Sequence, residues 1–164
     1  RIETYVRAKT MEAIEATHKK VDTALKAGGD AVGAQTVIAT MPGQLPLACN
    51  NRLNELFVTN AKIAEPNVAV KDAGHFSAST DMGDVSHLLP VIHPFIGGVD
   101  GFLHTADFHV VDFKHAVLLP AKAFAMMIVD LLADDAELAR QIKAEHHPLL
   151  TKEEYIAKLD KYFQ

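Results

Sequence analysis

Cysteine is nearly absent from this sequence. Its 164 residues hold one, Cys49, which excludes an internal disulfide and fits a reducing, cytoplasmic setting. A basic patch is missing as well. The formal charge is -5, and no basic, aromatic-interleaved stripe occurs, which argues against nucleic acid or an anionic membrane as a partner. Long hydrophobic runs are also lacking: "AFAMMIVDLLA" is short for a bilayer span and carries Asp130, so no membrane-spanning segment is expected. The chain opens on "RIETYVR", with no initiator methionine and no signal-peptide organisation, as expected of a processed chain or a fragment. HExxH and CxxC do not occur, and "GGVDG" lacks both the Lys-Ser/Thr of a P-loop and the spacing of a dinucleotide fingerprint. No internal repeat or low-complexity segment is present. What remains, 49% hydrophobic and 23% charged residues, describes one globular domain of ordinary size or parts of two.

Periodicity divides the chain. "IETYVRAKT" alternates and reads as a strand. "MEAIEATHKKVDTALKAGGDA" reads as a helix, with Ile14, Val21, Ala24 and Leu25 on one face and Gly28-Gly29 as its stop. "AQTVIATM" reads as a second strand closed by "MPGQLP", which completes a β-α-β unit. "NNRLNELFVTNAKIAE" is helical, with Leu53, Leu56, Phe57 and Ala61 on one face and Pro66 beyond its end. "VSHLLPVIHPFIG" is the best apolar strand candidate in a loop- and strand-like region. "DFKHAVLLPAKAFAMMIVDLLADD" reads as one long, largely buried helix capped by Asp112, with Pro120 predicting a kink or a later start. "TKEEYIAKLDKYF" opens with a capping box of Thr151 and Glu154.

Nine histidines bring metal chemistry into view. His18 falls on the polar side of the first helix, and His146 and His147 precede Pro148 at a helix end, where positive charge suits the dipole. His115 sits in the first turn of the long helix. His75 lies in a Gly-containing loop, and His93, before Pro94, suits a core position. His87 and His109, with His93 and His104, are harder to set aside as metal-site candidates. His104 follows "GGVDGFL" and precedes Thr105, at a strand end that turns, where an imidazole can point into a cleft as a zinc ligand. Asp81 and Asp84, in "STDMGDVS", suit either a metal or cationic group or a loop-stabilising Asx-turn. Cys49 could be a thiolate at a helix N-terminus, but no histidine is placed to activate it.

Taken in order, "SASTDMGDVSHLLPVIHPFIGG", "FLHTADF" and the helix "AVLLPAKAFAMMIVDLL" resemble the C-terminal part of a zinc-dependent amidohydrolase. The family is that of aminoacylases, carboxypeptidase G and hippurate hydrolase, and the branch is that of p-aminobenzoyl-glutamate hydrolase and the aminoacylase-1-like dipeptidases. "YVRAKT" and "AQTVIATMPGQLPLACNNRL" are similar to the second half of that family's lid domain and its return, so the resemblance covers essentially the whole chain.

The resemblance implies an α/β fold: the C-terminal portion of an α/β zinc-hydrolase catalytic domain in residues 49–164, and half of an inserted ferredoxin-like lid in residues 1–48. It implies a metal-dependent hydrolase of N-acyl amino acids, aminobenzoyl-glutamate-like compounds or dipeptides, with two zinc ions per intact site. The lid would carry the contact of a homo-oligomer such as a dimer. His104 matches the C-terminal zinc histidine. Asp81 matches an acidic position near the metals, and Arg7 a lid arginine facing the substrate carboxylate. Asp84, His87 and Thr105 would stand behind these groups, and Gly97 and Gly98 would let the backbone approach the cleft. The other metal ligands and the general-base glutamate belong to a segment that would precede Arg1, so the 164-residue chain is expected to be an inactive fragment. Two alternatives are a non-catalytic interaction module derived from that fold and a self-contained metal-binding protein using the histidines of residues 75–109.

Overall fold

The structure is a computed structural model that describes residues 1–72, 74 and 78–161. His75 and the residues after Lys161 lie outside the described set. The chain divides into two compact units. One comprises Arg1–Ala48, Ala73–Leu89 and Pro148–Gln164; the other comprises Cys49–Asp72 and Pro90–His147.

In the first unit, α1 runs over Met11–Ala31, and the Thr10 hydroxyl accepts the Ala13 amide at 3.3 Å as its N-cap. Its half-buried face comprises Met11, Ile14, His18, Val21, Asp22, Leu25 and Gly29. His18 thus belongs to the inward stripe rather than the polar side, with Asp22 at 3.5 Å one turn on. Gly28-Gly29 does not stop the helix. The chain leaves it at Gly33, whose φ is +68°, and Gly29 has a different use. A Cβ there would stand 1.9 Å from the Thr36 hydroxyl oxygen, so glycine lets the returning segment lie against the helix. The two expected strands on either side of α1 join no ladder among the described residues. Alternation supplies a face; only a laterally paired neighbour makes a strand.

The unit's tightest packing surrounds α3, Met82–Ser86. A Cβ on Gly83 would fall 1.9 Å from the Leu45 carbonyl oxygen. The Ser86 hydroxyl, 1% exposed, donates to Gly83 O at 2.6 Å and accepts the Ala48 amide at 3.0 Å. Buried His87 places Nε2 2.9 Å from Pro46 O, and its carbonyl accepts the Leu150 amide at 3.0 Å. A one-turn helix is marginal alone; here its buried groups clamp Leu45–Ala48 and the segment before α5. Helix α5, Lys152–Asp160, begins with the expected capping box of Thr151 and Glu154.

In the second unit, α2 spans Asn51–Ala64, with the Asn50 side chain accepting the Leu53 amide at 3.1 Å. It packs against α4, Leu119–Glu145. Leu53, Phe57, Ala61, Ala123, Met127 and Ile142 form the buried cluster, and the Phe57 and Phe124 rings stand 4.8 Å apart. Asn60 is the polar member of this face. Its amide, 2% exposed, donates to Leu56 O at 3.1 Å and to an Asp130 carboxylate oxygen at 2.7 Å. That bond accounts for the one acidic residue in the apolar run, since a buried amide without a partner would be costly.

Two sequence expectations change here, and the later start of the long helix expected from Pro120 holds. The strand predicted over "VSHLLPVIHPFIG" is instead the end of α3, a turn and an extended segment that joins no ladder. Pro90 and Pro94 cannot donate to one, and Ile92 and Ile96 pack on the α2–α4 cluster. The long helix starts with a widened π turn, Lys114–Leu118, in which the Leu119 amide reaches back to Lys114 O. Pro120, which has no amide to give, then takes the first turn of α4. The second change is that α4 is not continuous: Ala133 is extended, and Asp134, Asp135 and Ala136 have φ of +49°, +58° and +57°. The run judged short from sequence lies in a helical stretch, Lys114–Glu145, that has the length and composition to cross a membrane. The backbone leaves right-handed helical geometry within that stretch, at Ala133, after 19 residues or about 28 Å of helix. Phe124, Ile128, Val129 and Leu132 of that helix remain exposed.

Two substitutions test this packing. Gly83→Ala, which drives a methyl into the Leu45 carbonyl, is expected to destabilise the first unit by about 2 kcal/mol or more. Phe57→Ala is expected to cost the second roughly 3–5 kcal/mol. Thermal unfolding followed by amide exchange in each unit checks both, and unchanged protection would contradict the assignments.

Candidate functional site

The residues singled out by chemistry gather most densely on a small hairpin. Strand β1, Val99–Asp100, pairs antiparallel with β2, His109–Val110, in the register Val99 to Val110 and Asp100 to His109. Two glycines shape it. Gly98 has φ of +90°, and a Cβ there would lie 2.6 Å from Asp112 O and 2.7 Å from the Ala116 amide nitrogen. Its carbonyl accepts both the Val111 and Asp112 amides at 3.0 Å. Gly98 therefore seats the hairpin stem on the start of the helical stretch, a backbone approach open only to glycine. Gly101, φ +85°, leaves no room for a Cβ beside Asp107 O and so closes the loop mouth. Gly97 has open space around it.

His104 sits in this loop, exposed, with φ of +65°. The Thr105 amide and hydroxyl both reach Phe102 O, at 3.2 and 2.6 Å, and the hydroxyl also contacts an Asp107 carboxylate oxygen. Asp107 O in turn accepts from His109 Nδ1 at 2.6 Å. Sequence reasoning missed Asp107. The signal was available: a threonine and an aspartate two residues apart in a glycine-bounded loop is local turn chemistry.

Where the stem meets the helix, Asp112 accepts the His115 amide at 3.1 Å through one oxygen and lies 2.5 Å from His115 Nδ1 through the other. These bonds to His115 hold the Asp112 carboxyl below its usual range. Next to them, Lys114 pairs with Glu65. That hydrogen bond lowers the Glu65 carboxyl and raises the Lys114 ammonium.

Arg7 and Asp81 lie in the other unit. Arg7 is exposed on the extended N-terminal segment, with its guanidinium 5.2 Å from the centre of the Tyr5 ring. Asp81 is exposed where α3 begins. Its carboxylate accepts the Thr80 hydroxyl at 3.1 Å, and its carbonyl accepts the Asp84 amide at 3.1 Å. No hydrogen bond or ion pair links Arg7 to Asp81 among the described residues, and His104 belongs to the unit without them. Asp84 is engaged with Tyr155, whose hydroxyl donates to it at 3.3 Å; burial first, and then this carboxylate, raise the phenol's pKa. His87 serves the α3 clamp, and half-buried His93 stacks 5.6 Å from Phe95.

Among the described residues, no three or more His, Cys, Asp or Glu side chains converge to hold a metal ion. A catalytic zinc needs three protein ligands and an open position. Exposed His104 fits one ligand position, but the described residues do not assemble the set.

Over 142 residues, 82% of the chain, the sequence is 30% identical to Xaa-Arg dipeptidase of Mus musculus. That alignment covers 33% of the mouse protein, so the chain spans about a third of the length of this curated relative. The similarity relates the chain to a dipeptidase and does not single out a branch. No protein-family profile matches the chain, and no solved structure does.

The Asp112–His115 contact carries a pH signature. Because the folded carboxyl titrates below its ordinary value of 3.8, its stabilisation of the helix start is present above that value and is lost as pH falls through the folded pKa. Exchange of the His115 amide should accelerate over that acidic window, and Asp112→Asn should remove this pH dependence. A flat profile in the unsubstituted chain would contradict the assignment.

Proposed function

We propose that this chain is the C-terminal part of a zinc-dependent amidohydrolase of the dipeptidase and aminoacylase type, contributing one wall of its active site. The observation that carries the reading is the 30% identity to a dipeptidase over 142 residues. The ordered motifs "STDMGDVS" and "HT" support it. In this reading, residues 1–48 belong to a lid that also carries a homo-oligomer contact, and residues 49–164 to the catalytic domain. The reaction is hydrolysis of an amide bond in a dipeptide, an N-acyl amino acid or an aminobenzoyl-glutamate-like compound.

Each residue has a role that suits its chemistry. His104 offers an exposed imidazole as one metal ligand. Arg7 offers a planar guanidinium, which matches a substrate carboxylate with two parallel N–H groups. Its exposure, over the Tyr5 ring, supports that role. Asp81 positions the site or the substrate. The general-base glutamate and the remaining ligands come from polypeptide outside these 164 residues, so the chain alone does not catalyse.

Dipeptide hydrolysis tests the proposal, with dipeptides ending in arginine as the first substrates because the mouse relative carries that name. The chain is assayed alone and in place of the matched region of the mouse dipeptidase. No turnover is expected from the chain alone and measurable turnover from the chimera. His104→Ala should lower the chimera's activity on the order of 100-fold or more, while Arg7→Ala should mainly raise KM. Turnover by the chain alone, or full activity after His104→Ala, would overturn the reading.

A further inference from the structure

We infer that Thr105 and Asp107 are positioning residues that hold the backbone turn at His104, and with it the direction of the Cα–Cβ bond from which the imidazole extends. The inference rests on the reading of His104 as a functional group. A residue with a side chain at φ +65° occupies a sparsely populated region at a cost of about 1 kcal/mol or more. Its surroundings must hold it there. His104 is exposed, so packing does not hold its imidazole. Functional histidines commonly have their second ring nitrogen fixed by a neighbouring oxygen. Here the loop fixes the point and the direction from which the ring leaves the backbone.

The restraint is traceable atom by atom. Phe102 O receives the amide and the hydroxyl of Thr105, which closes a turn around Leu103 and His104. The same hydroxyl is shared with the Asp107 carboxylate. Asp107 is anchored twice more, by the close approach of Gly101 to its carbonyl and by His109 Nδ1 donating to that carbonyl at 2.6 Å. His109 pairs with Asp100 in the ladder. A continuous path therefore links the His104 turn to the strands, through one hydroxyl and one carboxylate. Preorganising a ligand on a rigid support lowers the entropy lost when it binds.

Backbone couplings that report the sign of φ, measured by NMR on the 164-residue chain, test this. Thr105→Val and Asp107→Ala should lose the positive φ at residue 104 and speed exchange of the residue-105 amide roughly tenfold, with the Val99–Val110 pairing intact. Thr105→Ser, which keeps the hydroxyl, and Asp107→Asn, which keeps an acceptor, should retain the wild-type couplings. If Thr105→Val and Asp107→Ala leave φ positive, the inference is overturned. If they dissolve the strand pairing as well, the two residues are simply structural and it is equally overturned. Failure of the dipeptidase reading would show separately, as hydrolysis indifferent to His104→Ala, with these couplings unchanged.

Discussion

The candidate site depends on the contact at Gly98. Its carbonyl collects two amides, from Val111 and Asp112, and its α-carbon stands where a side chain would strike Asp112 O and Ala116. Two residues of ladder on each side could not hold a hairpin in water. Docking at Gly98 gives this one a base, because the start of the helical stretch is itself tied down by the Asp112–His115 and Lys114–Glu65 contacts and by the α2–α4 cluster below it. Order thus passes from a packed apolar core, through a glycine, to a polar loop. The exposed His104 turn inherits it.

Local chemistry made part of this legible in the sequence. Thr151 with Glu154 announces the start of α5 because a cap acts within one turn. The apolar face of α2 was readable for the same reason. What failed was non-local. The alternation of "IETYVRAKT" and "AQTVIATM" gives each segment a face but names no neighbour to pair with. In "STDMGDVSH", a motif that looked like a site, Gly83, Ser86 and His87 are spent on Leu45–Ala48, nearly forty residues upstream. No spacing in the sequence reveals such a clamp. Of the candidate site, His104 and its glycines were visible, whereas Asp107 was overlooked although its turn chemistry lies within the loop.

Two observations support the proposed place of this chain in a larger hydrolase. The apolar residues Phe124, Ile128, Val129 and Leu132 remain exposed on the piece of α4 before its break, although a helix apolar on all sides is normally covered on all sides. The matched region takes in a third of the mouse dipeptidase. A single wall of a site, well built in itself and short of partners, accounts for these features together.

On the proposed function, these 164 residues contribute one metal ligand, His104, and not a metal site. An equilibrium zinc titration of the purified chain against a chromophoric chelator of micromolar affinity tests it most directly. The chelator is expected to keep the zinc, and His104→Ala to change nothing in this competition. A tight one-to-one complex, formed by the chain alone, would contradict it.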